Sequence, residues 1–278
     1  MTSRRLVAVG CAVAFGQVFA GGTAYRFSPV NQWDIPKTAT YWNPIVQYVE
    51  EKSGVKLELK IGRTSADTTS YVLAKEVEFV FSNHLFSPDR EALGWKVFAR
   101  RNVPQVFGQI AVPEDSTIRS VEELQGKTVS FAGPEAFVGY KVPYAYLLSK
   151  GIQVRADFGG NQNAAFAQMF SGKSQATGSN SMLIAGYAER ERRKFRVLWT
   201  SDGYHDLALM ASNKVPSADV KAVANAFIGM QKDPAGKEIL HKAAQSVGLA
   251  VDAYFIPSGD ADYAAYRRFY LTAPAALR

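Results

Sequence analysis

The feature that most constrains this chain is a regular exchange between two hydrophobic periods. "AYRFSPV" and "VKLELKIG" carry strand-type patterns, the second alternating with period two, and they flank "NPIVQYVEEKSG". The intervening stretch reads as a helix, with Asn43 as N-cap, Pro44 in the first turn and Gly54 just past the end. The exchange then continues. "SADTTSYVLAKE" reads as helix and "VEFVFS" as a buried strand; "WKVFARR" and "VFGQIAVPE" read as further strands. "SVEELQGKTVSFA" pairs Ser120 with Glu123 as a capping box before a turn and a strand. "EAFVGYKVPYAYLLSKG" predicts a helix kinked near Pro143. "NAAFAQMFSG" and "MLIAGYAERERR" follow as helices, "FRVLWTS" as a strand, and "SADVKAVANAFIGMQ" as an amphipathic helix behind Ser217. Strands alternating with helices of this length predict an α/β fold with a mainly parallel sheet in each lobe.

The number of lobes follows from length. A chain of 278 residues without internal repeats or a long Pro/Gly linker is better served by two lobes than by one. Polar turns after strands place two crossings, near Ala111–Ser116 and near Trp199–Asp202. Lobe one then takes residues 24–111 plus 201–278, and lobe two takes 112–200.

The first twenty residues differ in kind. Arg4 and Arg5 precede the apolar run "LVAVGCAVAFGQVFA", which ends in small residues near Ala20, Gly21 and Gly22. That is the layout of a secretory signal peptide over residues 1–20, too short for a membrane span, and it predicts a periplasmic location. A lipoprotein reading would acylate Cys11, although the arginines lie close to it and Ala8 stands where leucine is usual. Cys11 is the only cysteine, so a chain cleaved near Ala20 has no disulfide, thiolate metal site or thiol nucleophile. The formal charge of +7 falls by two with the leader. A modest positive balance favours anions, but the basic residues are scattered and "ERERRKFR" alternates with acids, so nucleic acid is not an expected partner.

No G-x-S-x-G, Walker A, H-E-x-x-H or dinucleotide fingerprint occurs. His84, His205 and His241 are far apart in sequence, and neither a metal nor a cofactor is expected. In open α/β sheets, ligands collect where strands end and helix N-termini present free N–H groups. Four such junctions stand out: "GRTSADTT" with Ser65, "FSNHLFSP" with Ser82, Asn83 and His84, "FAGPEAFVG" with Glu135 to Gly139, and "FGGNQNAAF" with Gln162 and Asn163. Alone, each such junction is more often a simple cap. Together they predict a cleft lined by neutral donors and acceptors.

These segments resemble the phosphate/phosphite/phosphonate-type periplasmic solute-binding proteins of ABC transporters. The likeness runs through "YWNPIVQYVEEKSGVKLEL", "VLAKEVEFVFSN" and "GKSQATGSNS", and most specifically through "AVPEDSTIRSVEELQGKTVSFAGPEAFVGYKVP". It implies a type-two Venus-flytrap of two α/β lobes joined by two crossing segments and closing on a ligand. The departures concentrate at the ligand. The family's three phosphoryl-binding hydroxyls fall on Ala136, Phe137 and Val138, while its Gly and Pro match at Gly139 and Pro143. Its histidine falls on Gln162 and its tyrosine near Ser82. An acidic position used for a ligand amine matches Asp206, with its glutamate partner at Ser181. The junctions and the resemblance together predict a ligand site from Ser65, Ser82, Asn83, His84, Glu135, Ala136, Phe137, Val138, Gly139, Gln162, Asn163, Ser181 and Asp206. The expected ligand is a small anionic or polar molecule, smaller, less charged or more organic than a phosphonate, with a different oxyanion held mainly by backbone amides as the alternative. Expected partners are an ABC permease or, alternatively, the periplasmic domain of a histidine kinase, with the chain a monomer. A flytrap-fold enzyme is the third reading, lacking any evident nucleophile–base pair.

Overall fold

A computed structural model describes residues 24–249 and 253–278. The predicted leader, with Cys11, lies outside the described residues.

The chain order is β1 (Tyr25–Pro29), α1 (Ile35–Ser53), β2 (Leu57–Leu59), α2 (Asp67–Leu73), β3 (Phe79–Ser82), α3 (Pro88–Glu91) and β4 (Lys96–Arg101). The middle of the chain supplies β5 (Val106–Pro113), β6 (Thr128–Phe131), α4 (Val142–Ser149), β7 (Arg155–Phe158), α5 (Gln162–Phe170), β8 (Ala176–Asn180), α6 (Ser181–Glu191) and β9 (Phe195–Tyr204). The chain then returns through β10 (Ala208–Ala211), α7 (Ser217–Gly229), α8 (Pro234–Val247), β11 (Phe255–Pro257) and α9 (Ala264–Thr272).

Two sheets result, ordered β11-β4-β10-β3-β1-β2 and β7-β6-β8-β5-β9. Each is mixed rather than mainly parallel. β1, β2 and β3 pair in parallel, as do β6, β7 and β8, but β10 and β11 in the first sheet and β5 in the second run against their neighbours. For β5 and β10 the cause is the double crossing. β5 enters the second sheet from the first lobe and β10 returns to the first, so each lies against strands that did not cross.

The crossings also stand elsewhere than predicted. β5 pairs with β8 and β9, so the chain changes sheets at residues 102–105 rather than after Ala111; it returns at 205–207, beyond the predicted Trp199–Asp202. The polar residues beyond Val112 mark the end of β5, and Thr200, Ser201 and Asp202 lie within β9, so neither set marks the passage between sheets.

Two helix boundaries also differ. α1 begins at Ile35, with the Asp34 carboxylate accepting from the Lys37 N–H at 2.9 Å, and Pro44 lies within the helix; Gly54 ends it at φ 71° as predicted. Asp34 and Pro36 are as good a start signal as Asn43 and Pro44, and the earlier pair buries Thr38, Tyr41 and Trp42 against the sheet. The irregularity expected at Pro143 takes the form of a π-helical turn over Phe137–Lys141, which runs into α4 with Pro143 in its first turn.

Trp42, Phe27, Phe81, Phe227 and Phe255 form the main first-lobe core, and Ile110, Leu124, Phe131 and Leu147 that of the second. A third apolar cluster spans both lobes, joining Phe86 and Val80 to Phe137, Val138 and Val142 and to Tyr263, Tyr266 and Tyr270 from the tail.

Candidate functional site

The lobes are closed on one another. The Ser65 N–H donates to the Gly160 carbonyl at 2.7 Å, a backbone bond between lobes that relies on Gly160 at φ +85°, a conformation side chains disfavour. Arg90 grips both carboxylate oxygens of Glu135 and also donates to the His84 carbonyl at 2.9 Å. Asn163 donates to Asp34 at 3.3 Å and accepts from Arg190 at 3.0 Å. α6 approaches the end of α8 so closely that a Cβ on Gly186 would lie 2.6 Å from the Gly248 carbonyl.

Between these contacts lies a cavity of about 40 Å³. One water needs roughly 10–15 Å³, so the closed cleft has room for about three waters or a solute of a few heavy atoms. Val30, Asn31, Gln32, Ser65, Asn83, His84 and Leu207 line it from the first-lobe side; Ala132, Ala136 to Gly139, Gln162, Asn180 and Leu183 line it from the second.

Eight predicted residues therefore meet here: Ser65, Asn83, His84, Ala136, Phe137, Val138, Gly139 and Gln162. The N–H groups of Phe137, Val138 and Gly139 precede the first bonds of the helical turn, which run from Tyr140 and Lys141 to the Ala136 carbonyl, so no intrahelical acceptor exists for them. His84 is fully buried, with Nδ1 3.0 Å from the Thr69 hydroxyl. Burial lowers its pKa from 6.5 to about 4, only partly opposed by Glu135, so the ring is neutral at ordinary pH. No lining side chain carries a charge there.

Five predicted residues stand elsewhere. Ser82 is buried, its hydroxyl accepting from the His84 N–H at 3.0 Å. Glu135 and Asn163 belong to the interlobe clamps above. Ser181 opens α6 and accepts from the Phe107 N–H at 3.1 Å, while its neighbour Asn180 faces the cavity. Asp206 is fully buried in an ion pair with Arg101 (Nε to Oδ2 2.6 Å), so the cation at this carboxylate comes from the protein itself. Burial works against the Arg101 charge, but Asp206 and Tyr41 hold its pKa above the ordinary guanidinium value. Phe137 has two roles: it lines the cavity, and its ring packs against Tyr204, Tyr266, Phe269 and Tyr270 with centroids 4.3–5.6 Å apart.

Asn31 and Gln32 escaped prediction. They occupy the first strand-to-helix junction, the same kind of place as the four junctions singled out, but the helix start placed at Asn43 hid it. Arg101 escaped because an arginine beside Arg100 at the end of a strand gives no sign of a buried partner a hundred residues away.

The family described as "ABC transporter, phosphonate, periplasmic substrate-binding protein" matches residues 31–263. The chain belongs to this family. No curated protein matches it in sequence. Among solved structures it is similar to the binding-protein component of an ABC phosphonate transporter from Pseudomonas aeruginosa (15% identity, TM-score 0.76, covering 89% of this chain and 85% of that one). It is also similar to PhnD1 from Prochlorococcus marinus in complex with methylphosphonate (14%, TM-score 0.72, 88% and 96%). A third is a Xanthomonas citri protein bound to ATP (15%, TM-score 0.67, 92% and 97%). At such identities these likenesses show the two-lobed periplasmic binding-protein fold. Membership of the phosphonate-type family makes the chain a periplasmic solute-binding protein, with a small-molecule ligand and an ABC permease as partner. Among the described residues no helix is long and apolar enough to cross a membrane.

Proposed function

We propose that this phosphonate-type binding protein captures a small, weakly charged or neutral polar solute in the cavity between its lobes and presents the closed form to its permease. In this reading residues 1–20 are a cleaved export leader, and the mature chain acts as a monomer that binds its ligand without transforming it. One observation carries it: Asn31, Gln32 and Ser65 line the cavity, and each keeps a buried polar atom without a partner. Buried polar groups are costly unless paired, so such a cluster is better explained by a ligand than by packing.

A relative was solved with methylphosphonate. Here the three positions that would supply hydroxyls to a phosphoryl group are Ala136, Phe137 and Val138. A dianion placed there would forgo about three charge-assisted hydrogen bonds, each worth ~1.5–3 kcal/mol. The test is native mass spectrometry on protein purified from the periplasm without denaturation, followed by thermal-shift screening of small solutes. The expected result is a small-molecule adduct and a ligand that raises the melting temperature. Protein that carries no adduct and responds to no solute, charged or neutral, would refute the proposal.

A further inference from the structure

The cavity presents a fixed pattern of donors and acceptors, because two amide orientations are chemically forced. Gln32 meets Arg101 Nη2 at 2.9 Å, and a guanidinium only donates, so the atom facing it must be the amide oxygen. The Gln32 Nε2 is then left buried without a partner. Asn31 meets the Gly62 carbonyl at 2.6 Å, and a carbonyl only accepts, so the atom facing it must be the amide nitrogen. The Asn31 Oδ1 is left buried without a partner, as is the Ser65 hydroxyl, which can serve either way. Neither amide can flip without setting donor against donor or acceptor against acceptor.

We infer that the ligand is an uncharged solute of a few heavy atoms that carries both a carbonyl-type acceptor and an N–H donor, the chemistry of urea and the small carboxamides. Its acceptor meets the Gln32 amide nitrogen and its N–H meets the Asn31 oxygen. A fully deprotonated oxyanion has no hydrogen to offer Asn31 and would bring its negative charge against that oxygen. A cation has no carboxylate to meet it, since Asp206 is bound to Arg101 and Glu135 to Arg90. Arg101 is here a positioning residue: it touches no ligand but dictates which end of Gln32 faces one.

This inference rests on the cavity being the ligand site, and the experiment separates the two. Full-length mature protein is titrated calorimetrically with acetamide, formamide, urea, inorganic phosphate and methylphosphonate. At least one of the three neutral probes should bind at least a hundredfold more tightly than either anion. Gln32→Glu keeps the contact with Arg101 but replaces the donor with an acceptor, and should weaken that neutral probe at least tenfold. Ser65→Ala, a smaller change at a second lining atom, should weaken it several-fold. Phosphate or methylphosphonate binding more tightly than every neutral probe would overturn the inference while leaving a binding protein intact. Binding of a neutral probe that neither variant weakens would also overturn it. A wild-type protein that binds none of the five overturns the ligand class, and if it also fails the wider solute screen the cavity itself is misread.

Discussion

Replacing Phe137 by alanine should open the protein. The ring is carried by the second lobe, yet three of its four aromatic partners, Tyr266, Phe269 and Tyr270, lie in the tail helix α9. That tail is anchored to the first lobe, with Phe86 stacked on Tyr263 at 4.6 Å and Arg267 paired with Glu91. Phe137 is 1% exposed in the closed form. Opening would return most of its ring to water, although Tyr204 of its own sheet would still cover part. Full burial of such a side chain is worth about 1.5–3 kcal/mol, and aromatic pairing adds ~0.5–1.5. Allowing for Tyr204, the alanine variant should lose ~2–3 kcal/mol of closure, or roughly 30- to 150-fold in the closed-to-open ratio. A cysteine pair at Lys150 and Lys221, exposed on opposite lobes, allows spin-label distances to be measured without ligand. Phe137→Ala should move the distribution toward longer distances, and apparent ligand affinity should fall with the closed fraction. An unchanged distribution accompanied by a lower melting temperature would show that the ring is ordinary core packing and refute its role in holding the lobes closed.

Two further outcomes concern buried charge. The unfolded His84 takes a proton near its ordinary 6.5, whereas in the fold it stays neutral down to about 4. Its contribution is therefore intact above pH 6.5 and is lost as pH falls toward about 4, on the order of 3 kcal/mol in all. Urea unfolding across this window should show a flatter pH dependence in His84→Gln than in the wild type, and equal slopes would refute the assignment. Arg101→Met strands the Asp206 carboxylate at 0% exposure and should cost ~3–5 kcal/mol in urea unfolding. Adding Asp206→Leu should recover most of that loss, whereas a single variant costing under ~1 kcal/mol would contradict a buried, uncompensated charge.

The elements were legible because hydrophobic period and capping are local properties. "VKLELKIG" and "VEFVFS" could be read as strands without knowing their neighbours, and Gly54 as a helix end. Pairing direction was not local: β5 and β10 look like any other strand, and only the double crossing makes them antiparallel. The site divided in the same way. Ser65, Gly139 and Gln162 mark strand-to-helix junctions that can be seen in sequence. Whether Asp206 faces a ligand or an arginine depends on Arg101, 105 positions away, and no junction signal carries that information. The packing role of Phe137 was hidden for a related reason, since its main partners come from the far end of the chain.

The two crossing segments are fastened unevenly. The Asn102 N–H donates to the Tyr254 carbonyl at 2.6 Å, Arg101 holds Asp206, and the hydroxyls of Tyr263 and Tyr266 hold the carbonyls of Asp206 and His205. Every one of these ties runs to first-lobe strands or to the tail. In mechanical terms the axle is bolted to the frame, and the second lobe is the swinging jaw. Gln32 hangs from the same Arg101 that secures the axle. A solute drawing on that amide thus pulls at the pivot rather than the rim, where a small displacement subtends the widest swing of the jaw.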